Sequence, residues 1–300
     1  MSRVFVLGNA SIDVTLRVPR LPLQGETLMA HGIARAPGGK GLNQAVAAAR
    51  AGAEVHFCAA IGREPEVDII RSALRGEALA VLRLLDAGAP TDLSTLLVAP
   101  DGANCIISTG DCAAALAMAD ACDFLAAMRG DDILLMQGNL SAAVTAAALA
   151  RARRAIINTA PIRWPMAAML RGVGIAVANE VEAAALTGTD DPMDAALRLG
   201  ARVGIVTLGA QGCVVAAGGA VTHSPAISAV AVDTTGAGDV FCGVLAAGLA
   251  RGCDLPGAVA IAQHAAAHAV ARAGCFAAIP SPATLLPLFD QYVCLPPTRP

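Results

Sequence analysis

The sequence predicts an α/β fold in which a central, mostly parallel sheet is flanked by helices and carries a small β-sheet lid. From Asp131 onward, short apolar runs alternate with alanine-rich or glutamate-rich helical stretches, which is the pattern of βαβ units. Near the N-terminus, the strand-like segments 15–18 and 28–34 are separated by turn residues and lack a crossover helix. Such segments favour a separate small sheet.

The remaining elements follow from local patterns. Apolar runs bounded by turn residues predict strands at 4–7, 133–136, 156–158, 175–178 and 203–207. Helices are predicted at about 42–51, from the glycine-rich segment 233–239 to about 251, and at about 256–271. We therefore expect a single domain over residues 1–300, with lid strands at about 14–36 and in part of 96–109.

Composition and charge exclude several classes of partner. The chain has 56% hydrophobic residues, enough for a large core, and a formal net charge of −3. Because basic residues do not cluster, neither nucleic acid nor an anionic membrane is an expected partner. An apolar stretch of membrane-spanning length and a signal-peptide pattern are both lacking, which predicts a cytoplasmic protein.

Two residue types are used unusually. The nine cysteines include no C-x-x-C pair and mostly sit in apolar runs, so we expect buried free thiols and neither a zinc site nor a disulfide framework. Of 21 basic residues, Lys40 is the single lysine, and it lies between two glycines. A compact ammonium differs chemically from the planar guanidinium used elsewhere, so this position is a candidate functional site.

The segment 235–239 (Thr-Gly-Ala-Gly-Asp) is the candidate phosphate site. A Walker phosphate loop is absent, since Lys40 is followed by Gly41 and not by Ser or Thr. Two glycines at a helix start let backbone N–H groups approach a phosphate, and Asp239 can take a proton from an alcohol. The alternative is an ordinary glycine-rich turn in which Asp239 only caps the helix.

The segment 38–45 (Gly-Gly-Lys-Gly-Leu-Asn-Gln-Ala) brings a glycine turn, a cation and amides to the start of the first helix. These groups suit the hydroxyls of a polyol, and Asp13 can accept hydrogen bonds from two of them. The alternatives are a capped helix after a glycine-rich loop and, for Asp13, a simple turn former.

The two segments, in this order and about two hundred residues apart, resemble the two signatures of the pfkB or ribokinase family of carbohydrate kinases. The resemblance extends from residue 4 to about residue 280. It implies a three-layer ribokinase-like fold and ATP-dependent phosphorylation of a sugar. Asp239 would be the catalytic base, and the N–H groups of Gly236, Ala237 and Gly238 would form the anion hole.

The resemblance also implies the groups that bind each substrate. Sugar contacts are implied for Asp13, Gly39, Lys40, Asn43 and Asp239. Ser11 and Asn139 stand where ribokinases carry Asn and Glu, and both stay polar, so they are included in the sugar site. The nucleotide and its Mg²⁺ are implied to contact strand-end and helix residues, namely Asn179, Glu182 (to Mg²⁺ through water), Thr207, Gly209, Gly212, Gly238, Gln263 and His264.

Many relatives bind a monovalent cation beside the anion hole. The matching positions here, which would contribute mainly carbonyl oxygens, are Asp233, Thr235, Ala269, Arg272 and Gly274. K⁺ activation is therefore expected alongside ATP and Mg²⁺. The family also implies a homodimer in which the lid strands pair across a two-fold axis.

D-ribose is the expected acceptor, because segment 38–45 has the ribokinase-like form of the first signature. Other sugars remain open, and so do nucleosides, although the chain has few aromatic residues to stack on a base. A catalytically weak sugar-binding regulator on the same fold is the alternative of a different class.

Overall fold

The computed structural model describes residues 2–100 and 104–292. Within them, the strands form a nine-stranded sheet in the order β13-β12-β11-β10-β9-β8-β1-β4-β5 and a four-stranded sheet in the order β3-β2-β6-β7. The strands are β1 (Val4–Asn9), β2 (Ser11–Arg17), β3 (Gly32–Gly38), β4 (Val55–Ile61), β5 (Leu79–Asp86), β6 (Asp92–Val98), β7 (Asn104–Ser108), β8 (Ile133–Gln137), β9 (Arg154–Asn158), β10 (Ile175–Asn179), β11 (Val203–Thr207), β12 (Cys213–Ala217) and β13 (Ala220–Ser224).

Helices cover both faces of the large sheet, as expected when parallel strands are joined by crossovers. They are α1 (Lys40–Arg50), α2 (Val67–Arg75), α3 (Asp111–Ala114), α4 (Met118–Leu125), α5 (Ala142–Arg151), α6 (Ala167–Leu170), α7 (Glu180–Thr187), α8 (Pro192–Arg198), α9 (Ala237–Ala250), α10 (Leu255–Val270) and α11 (Pro282–Phe289). In the described residues, no helix has both the length and the apolar character that crossing a membrane requires.

The large sheet separates two hydrophobic cores. Along β1, Val4 and Val6 point into one core with α1, α9 and α10, whereas Phe5 and Leu7 point into the other with α4 and α5. All four side chains are fully buried. The strand therefore reads as a continuous apolar run, because both of its faces are covered. The three-layer fold class predicted from the sequence is confirmed.

The small sheet stands apart from the large one as a lid. Its strands β2 and β3 pair antiparallel from Ser11–Gly38 to Arg17–Gly32, so β3 runs directly into α1. The strand predicted at 28–34 was therefore placed wrongly, because hairpin register and not local apolarity sets its limits. The predicted 14–36 lid segment also begins too late, since β2 starts at Ser11.

The structure also differs from the prediction in the strands that it contains and in the state of several cysteines. Strands β4, β5, β12 and β13 were not predicted, and β12 and β13 pair antiparallel at one edge. Seven described cysteines are free thiols, but three of these are not buried: Cys105 is exposed, and Cys122 and Cys275 are partly exposed. Cys253 is disulfide-bonded, which contradicts the expectation for that residue. Cys294 lies outside the described residues.

Candidate active site

Asp239 lies in the first turn of α9 and is 5% exposed. Gly236, the residue before the helix, has a φ of 80° in the left-handed region. A Cβ at that position would also lie 2.3 Å from the Cys275 sulfur. Glycine is therefore required both for the backbone angle and for space. The turn leaves the N-terminal N–H groups and the positive end of the helix dipole available to an anion.

Helix α1 brings its own N-terminus against Asp239. Gly39 precedes this helix with a φ of 98°, and a Cβ there would come 2.9 Å from the Ala10 Cα. Lys40 Nζ lies 3.7 Å from Asp239 Oδ1, and Asn43 donates from Nδ2 to Asp239 Oδ2 over 3.4 Å. The charge on Asp239 raises the pKa of Lys40, although burial opposes this effect. The lysine therefore stays cationic beside the carboxylate.

A cavity of about 540 Å³ opens between these helix starts and the lid. It contains all seven residues predicted to bind sugar. Its lining is Asn9, Ser11, Asp13, Gly39, Lys40, Asn43, Ser94, Leu96, Ile106, Ser108, Thr109, Gly110, Asn139, Pro161, Arg163, Thr234, Thr235, Gly236, Asp239 and Cys275. The lining comes from β2, β6 and β7 of the lid as well as from the large domain. Movement of the lid would therefore change the shape of this cavity.

Asp13 has an unusual protonation equilibrium. Burial is the largest cause and, together with the nearby charge on Asp239, raises the pKa of this carboxyl to about 6. Hydrogen bonds from Ser11 and Ser94 act in the opposite direction. Ser11 Oγ lies 3.1 Å from Asp13 Oδ1. A ligand hydroxyl that donates to this carboxylate would favour its ionised form.

Two residues that line the cavity each have a buried amide oxygen without a partner in the described residues. Asn43 Oδ1 and Asn139 Oδ1 are buried and accept no hydrogen bond from any described residue. Buried acceptors of this kind are rare in folded proteins because they give up hydration without a replacement. Hydroxyl groups of a bound polyol would satisfy both. The backbone carbonyl of Asn139, by contrast, accepts from Arg163 over 3.1 Å.

Asn179 and Glu182 form a reciprocal cap at the start of α7. Glu182 N–H donates to Asn179 Oδ1 over 2.8 Å, and Asn179 N–H donates to Glu182 Oε2 over 3.1 Å. Thr159 Oγ1 also donates to Glu182 Oε2 over 3.1 Å. The cap explains why Asn-x-x-Glu begins this helix. It also fixes the carboxylate at the strand ends, where its remaining lone pairs can accept from water.

The other residues predicted to contact the nucleotide lie outside the cavity. Thr207 ends β11, next to Asn179 at the end of β10. Gln263 is buried, and its amide donates to Ser224 O and Cys213 Sγ, each over 3.1 Å. His264, one residue further, is partly exposed. Of these two candidates for contact with adenine, His264 has the more accessible side chain.

The positions predicted for a monovalent cation come together beside α9. Asp233 accepts backbone N–H bonds from Thr235 and Gly274, each over 2.9 Å. Burial opposes ionisation, but these bonds lower the pKa of Asp233 below its usual value. Arg272 N–H donates to Ala269 O over 3.0 Å, so the carbonyl of Ala269 is partly used by the end of α10.

A set of buried amides behind Asp239 was not predicted from the sequence; it is formed by Gln44, Gln137 and Asn158. Gln137 and Asn158 each end a buried strand of the large sheet. Since parallel strands end at the same sheet edge, polar residues closing two apolar runs could have been read as neighbours. Cys275 was also missed, although it accepts a hydrogen bond from Asn43 Nδ2 over 3.0 Å.

A family model, described as pfkB family carbohydrate kinase, matches residues 1–282. The chain belongs to this family, and it is accordingly a phosphotransferase with an alcohol group as acceptor.

Particular relatives agree with this assignment. The chain is 31% identical to a ribokinase of Haemophilus influenzae over 92% of this chain and 94% of that protein. It is 28% identical to a bifunctional ribokinase/ribose-5-phosphate isomerase A of Fructilactobacillus sanfranciscensis, of which it spans 57%.

Two solved structures are also similar. A ribokinase from Thermotoga maritima matches with a TM-score of 0.86 and 29% identity, over 97% of this chain and all of that one. The Arabidopsis thaliana ribokinase complexed with ribose and ATP matches with a TM-score of 0.82 and 26% identity, over 97% of this chain and 99% of that one.

Proposed function

We propose that the protein transfers the γ-phosphoryl group of ATP to the primary hydroxyl of D-ribose, giving ribose 5-phosphate and ADP. The observation that carries this proposal is the cavity. Its lining includes Asp239, the Asp13 carboxylate, and Asn43 and Asn139, whose amide oxygens accept no hydrogen bond from the described residues. Two relatives named as ribokinases, one of them solved with ribose and ATP, support ribose as the sugar. Among the described residues that line the cavity none is aromatic, which argues against a nucleoside.

In the proposed reaction, the sugar lies between the lid and α9 with its primary hydroxyl at Asp239. The hydroxyl proton passes to the Asp239 carboxylate while the oxygen bonds to the γ-phosphorus, and the bond from phosphorus to the ADP oxygen breaks. Lys40 lies beside the base and faces the incoming phosphoryl oxygens with a positive charge. Lid residues Ser94 and Ser108 close the far side of the cavity and would exclude water.

The start of α9 is the proposed anion hole. Its first N–H groups have no partner four residues earlier within the helix, so they can stabilise charge on the transferred phosphoryl group. Ala237 N–H donates to Thr234 O over a long 3.3 Å, a weak bond that a phosphoryl oxygen would replace. We assign Gly236, Ala237 and Gly238 this role.

We assign Mg²⁺ to the ATP phosphates, with water linking it to Glu182. In the described residues there is no group of three or more His, Cys, Asp or Glu side chains that could bind a metal directly, which fits a cation held mainly by phosphates. When bound, it would neutralise phosphoryl charge.

We assign K⁺ to the loops around Asp233 and Gly274. The ionised Asp233 accepts hydrogen bonds from the backbone N–H groups of Thr235 and Gly274 and so joins the two loops. The backbone carbonyl oxygens of these loops are then the groups available to a cation. We further propose a cytoplasmic homodimer in which the lids pair.

The test is ADP release from ATP and Mg²⁺ across ribose, 2-deoxyribose, fructose, 2-keto-3-deoxygluconate and adenosine, with and without K⁺. We expect ribose to give the highest kcat/KM and K⁺ to increase it. Turnover with a different acceptor alone would reject ribose while keeping the kinase. An absence of turnover, with ribose binding retained, would instead support a sugar-binding regulator.

A further inference from the structure

A chain of buried amide side chains leads from Asp239 into the protein. Gln44, on α1, donates from Nε2 to Asp239 Oδ1 over 3.0 Å and to Asn158 Oδ1 over 3.4 Å. Its Oε1 accepts from Gln137 Nε2 over 2.7 Å. Gln44 and Gln137 are fully buried, and Asn158 is 7% exposed. Buried amides like these need a reason, since apolar side chains could fill the same space without needing partners.

One contact with the backbone of β10 determines which amide group is the donor and which is the acceptor in each of these hydrogen bonds. Asn158 Nδ2 donates to the carbonyl of Val177 over 3.2 Å, and a carbonyl can only accept. The oxygen of Asn158 must then face Gln44, so that the Gln44 amide group turns its NH₂ side towards Asn158. The same NH₂ group reaches Asp239. Gln44 therefore presents donors, and not its carbonyl, to the carboxylate.

Gln137 fixes the other end of Gln44. Its NH₂ group donates to Gln44 Oε1, while its own Oε1 is buried and without a partner in the described residues. That oxygen occupies the space beside Gly8, where a Cβ would come within 2.1 Å of it. Only a glycine at position 8 of β1 leaves room for the Gln137 amide. The Gln137 amide holds this position although its buried oxygen has no hydrogen bond from the described residues.

The two oxygens of Asp239 are consequently different. Oδ1 receives the Gln44 bond and is the oxygen closest to Lys40, whereas Oδ2 has only the longer contact with Asn43. An oxygen that accepts a hydrogen bond and lies 3.7 Å from an ammonium is a poor proton acceptor, and the other oxygen remains available to the substrate hydroxyl.

We propose that Gln44, oriented by Gln137 and Asn158, is a positioning residue that holds Oδ1 of Asp239 so that Oδ2 receives the proton of the acceptor hydroxyl. This role rests on the proposed function. It predicts that changes at Gln137, which does not line the cavity, lower kcat and leave the KM values for sugar and ATP nearly unchanged.

The decisive variant is Gln137→Glu, assayed from pH 6 to pH 8.5 against the wild type. An ionised carboxylate only accepts, so it would draw the NH₂ group of Gln44 away from Asp239 and turn the Gln44 carbonyl towards the base. We expect kcat at pH 8.5 to fall by about 10-fold to 100-fold. At lower pH the introduced carboxyl, whose pKa burial raises, becomes protonated and donates to Gln44 as glutamine does. The ratio of variant to wild-type kcat therefore rises as the pH falls.

Other titrating groups do not mimic this signal. Those around the network are Asp239, Lys40, Glu182, Cys242, Cys275 and Asp13, whose pKa of about 6 lies at the lower end of the assay range. They are common to both proteins and largely cancel in the ratio. Burial also raises the thiol pKa of Cys242 and of Cys275 above its usual value, and so above the assay range.

Gln137→Met is the matched control, since it keeps the side-chain length without any hydrogen bond. We expect a pH-independent loss of about threefold to 10-fold in kcat, with KM values within about threefold of wild type. A flat ratio for Gln137→Glu, wild-type kcat in Gln137→Met, or losses confined to KM would overturn the positioning role. If Gln137→Glu does not fold, as judged by thermal melting, Gln137→Met still decides. A wild type that turns over no acceptor would instead remove the proposed function itself.

Discussion

Asp13 shows how the fold places a carboxylate where charge is costly. Gly38 packs so closely against it that a Cβ would lie 2.1 Å from the carboxyl carbon. The pKa is raised to about 6 because burial and the charge on Asp239 outweigh the hydrogen bonds from Ser11 and Ser94. The free protein therefore loses stability by ionising this group, and a sugar hydroxyl would recover part of the loss.

This raised pKa predicts that ribose binding weakens on acidification. Below about pH 6 the carboxyl becomes neutral, and it must lose its proton to accept two hydroxyl bonds. We expect the Kd for ribose, measured by titration calorimetry, to rise by up to about 10-fold for each pH unit below 6. A Kd unchanged between pH 5 and pH 8 would contradict the assignment of Asp13 to the sugar site.

The pH dependence of the free energy of unfolding gives a second test of the raised Asp13 pKa. A folded-state pKa above the unfolded value means that stability is lost as the pH rises from about 4 through 6. Asp13→Asn removes the charge, so at pH 8 the free variant should be more stable than wild type by roughly 1–3 kcal/mol, the upper figure being the full free-energy equivalent of the rise in pKa to about 6. The difference should vanish near pH 4, as followed by denaturant unfolding.

At the scale of elements, the site depends on how closely α1 and α9 approach. The two helices touch at Gly243, where a Cβ would lie 2.4 Å from the carbonyl oxygen of Gln44 and 2.8 Å from the Ala47 Cβ. Residues 39 to 44 supply the cation and amides, and α9 supplies the base. Because Gly243 has no side chain, α1 and α9 can lie close together. Their separation in turn sets the distance from Asp239 to the groups on α1.

Gly243→Ala should therefore impair catalysis without touching a substrate. We expect a cost of about 1–3 kcal/mol in the free energy of unfolding. We also expect kcat to fall by about 10-fold or more, because Asp239 moves away from Gln44 and Lys40. Gly248→Ala is the matched control on the same helix, since its Cβ would meet Ala258 of α10 at 3.0 Å instead. It should lose stability but keep kcat at 25 °C, and equal kcat losses in both variants would contradict this account.

The sequence predicted those strands and helices whose pattern of apolar residues can be recognised within the element itself. Strands buried on both faces, such as β8 and β11, and helices with glycine or proline starts, such as α10, were recognisable in this way. The position of β3 was not, because long-range pairing with β2 decides it. Residues of both signature segments line one cavity, and their contact with a sugar stays a prediction. The network of Gln44, Gln137 and Asn158 depends on side chains from three elements meeting in space, which one-dimensional spacing does not encode.

At the scale of the whole molecule, the lid carries exposed apolar side chains on its outer strands. Ile33 on β3 is 57% exposed and Ile107 on β7 is 67% exposed. These strands are also the edges of the lid sheet, with unpaired backbone groups. An apolar edge of this kind is normally covered, and a second lid would cover it.

Light scattering should therefore give twice the 30.0 kDa chain mass at micromolar concentration. Ile33→Glu should shift the protein towards monomer, because it places a charge in the paired edge. Met193→Glu changes another exposed apolar position, on α8 and far from the lid strands in the chain, and it should leave the mass unchanged. A monomeric wild type would reject lid pairing.

The central claim is that Asp239 is the base of a sugar kinase, and the most direct measurement compares ribose-dependent ADP formation by wild type and Asp239→Asn. We expect kcat to fall by about 100-fold or more in the variant, because an amide cannot take the proton. Its Kd for ribose should stay within about threefold of wild type, since Asp13, Asn43 and Asn139 remain in the cavity. Turnover by the variant within about 10-fold of wild type would contradict the assignment of Asp239 as the base.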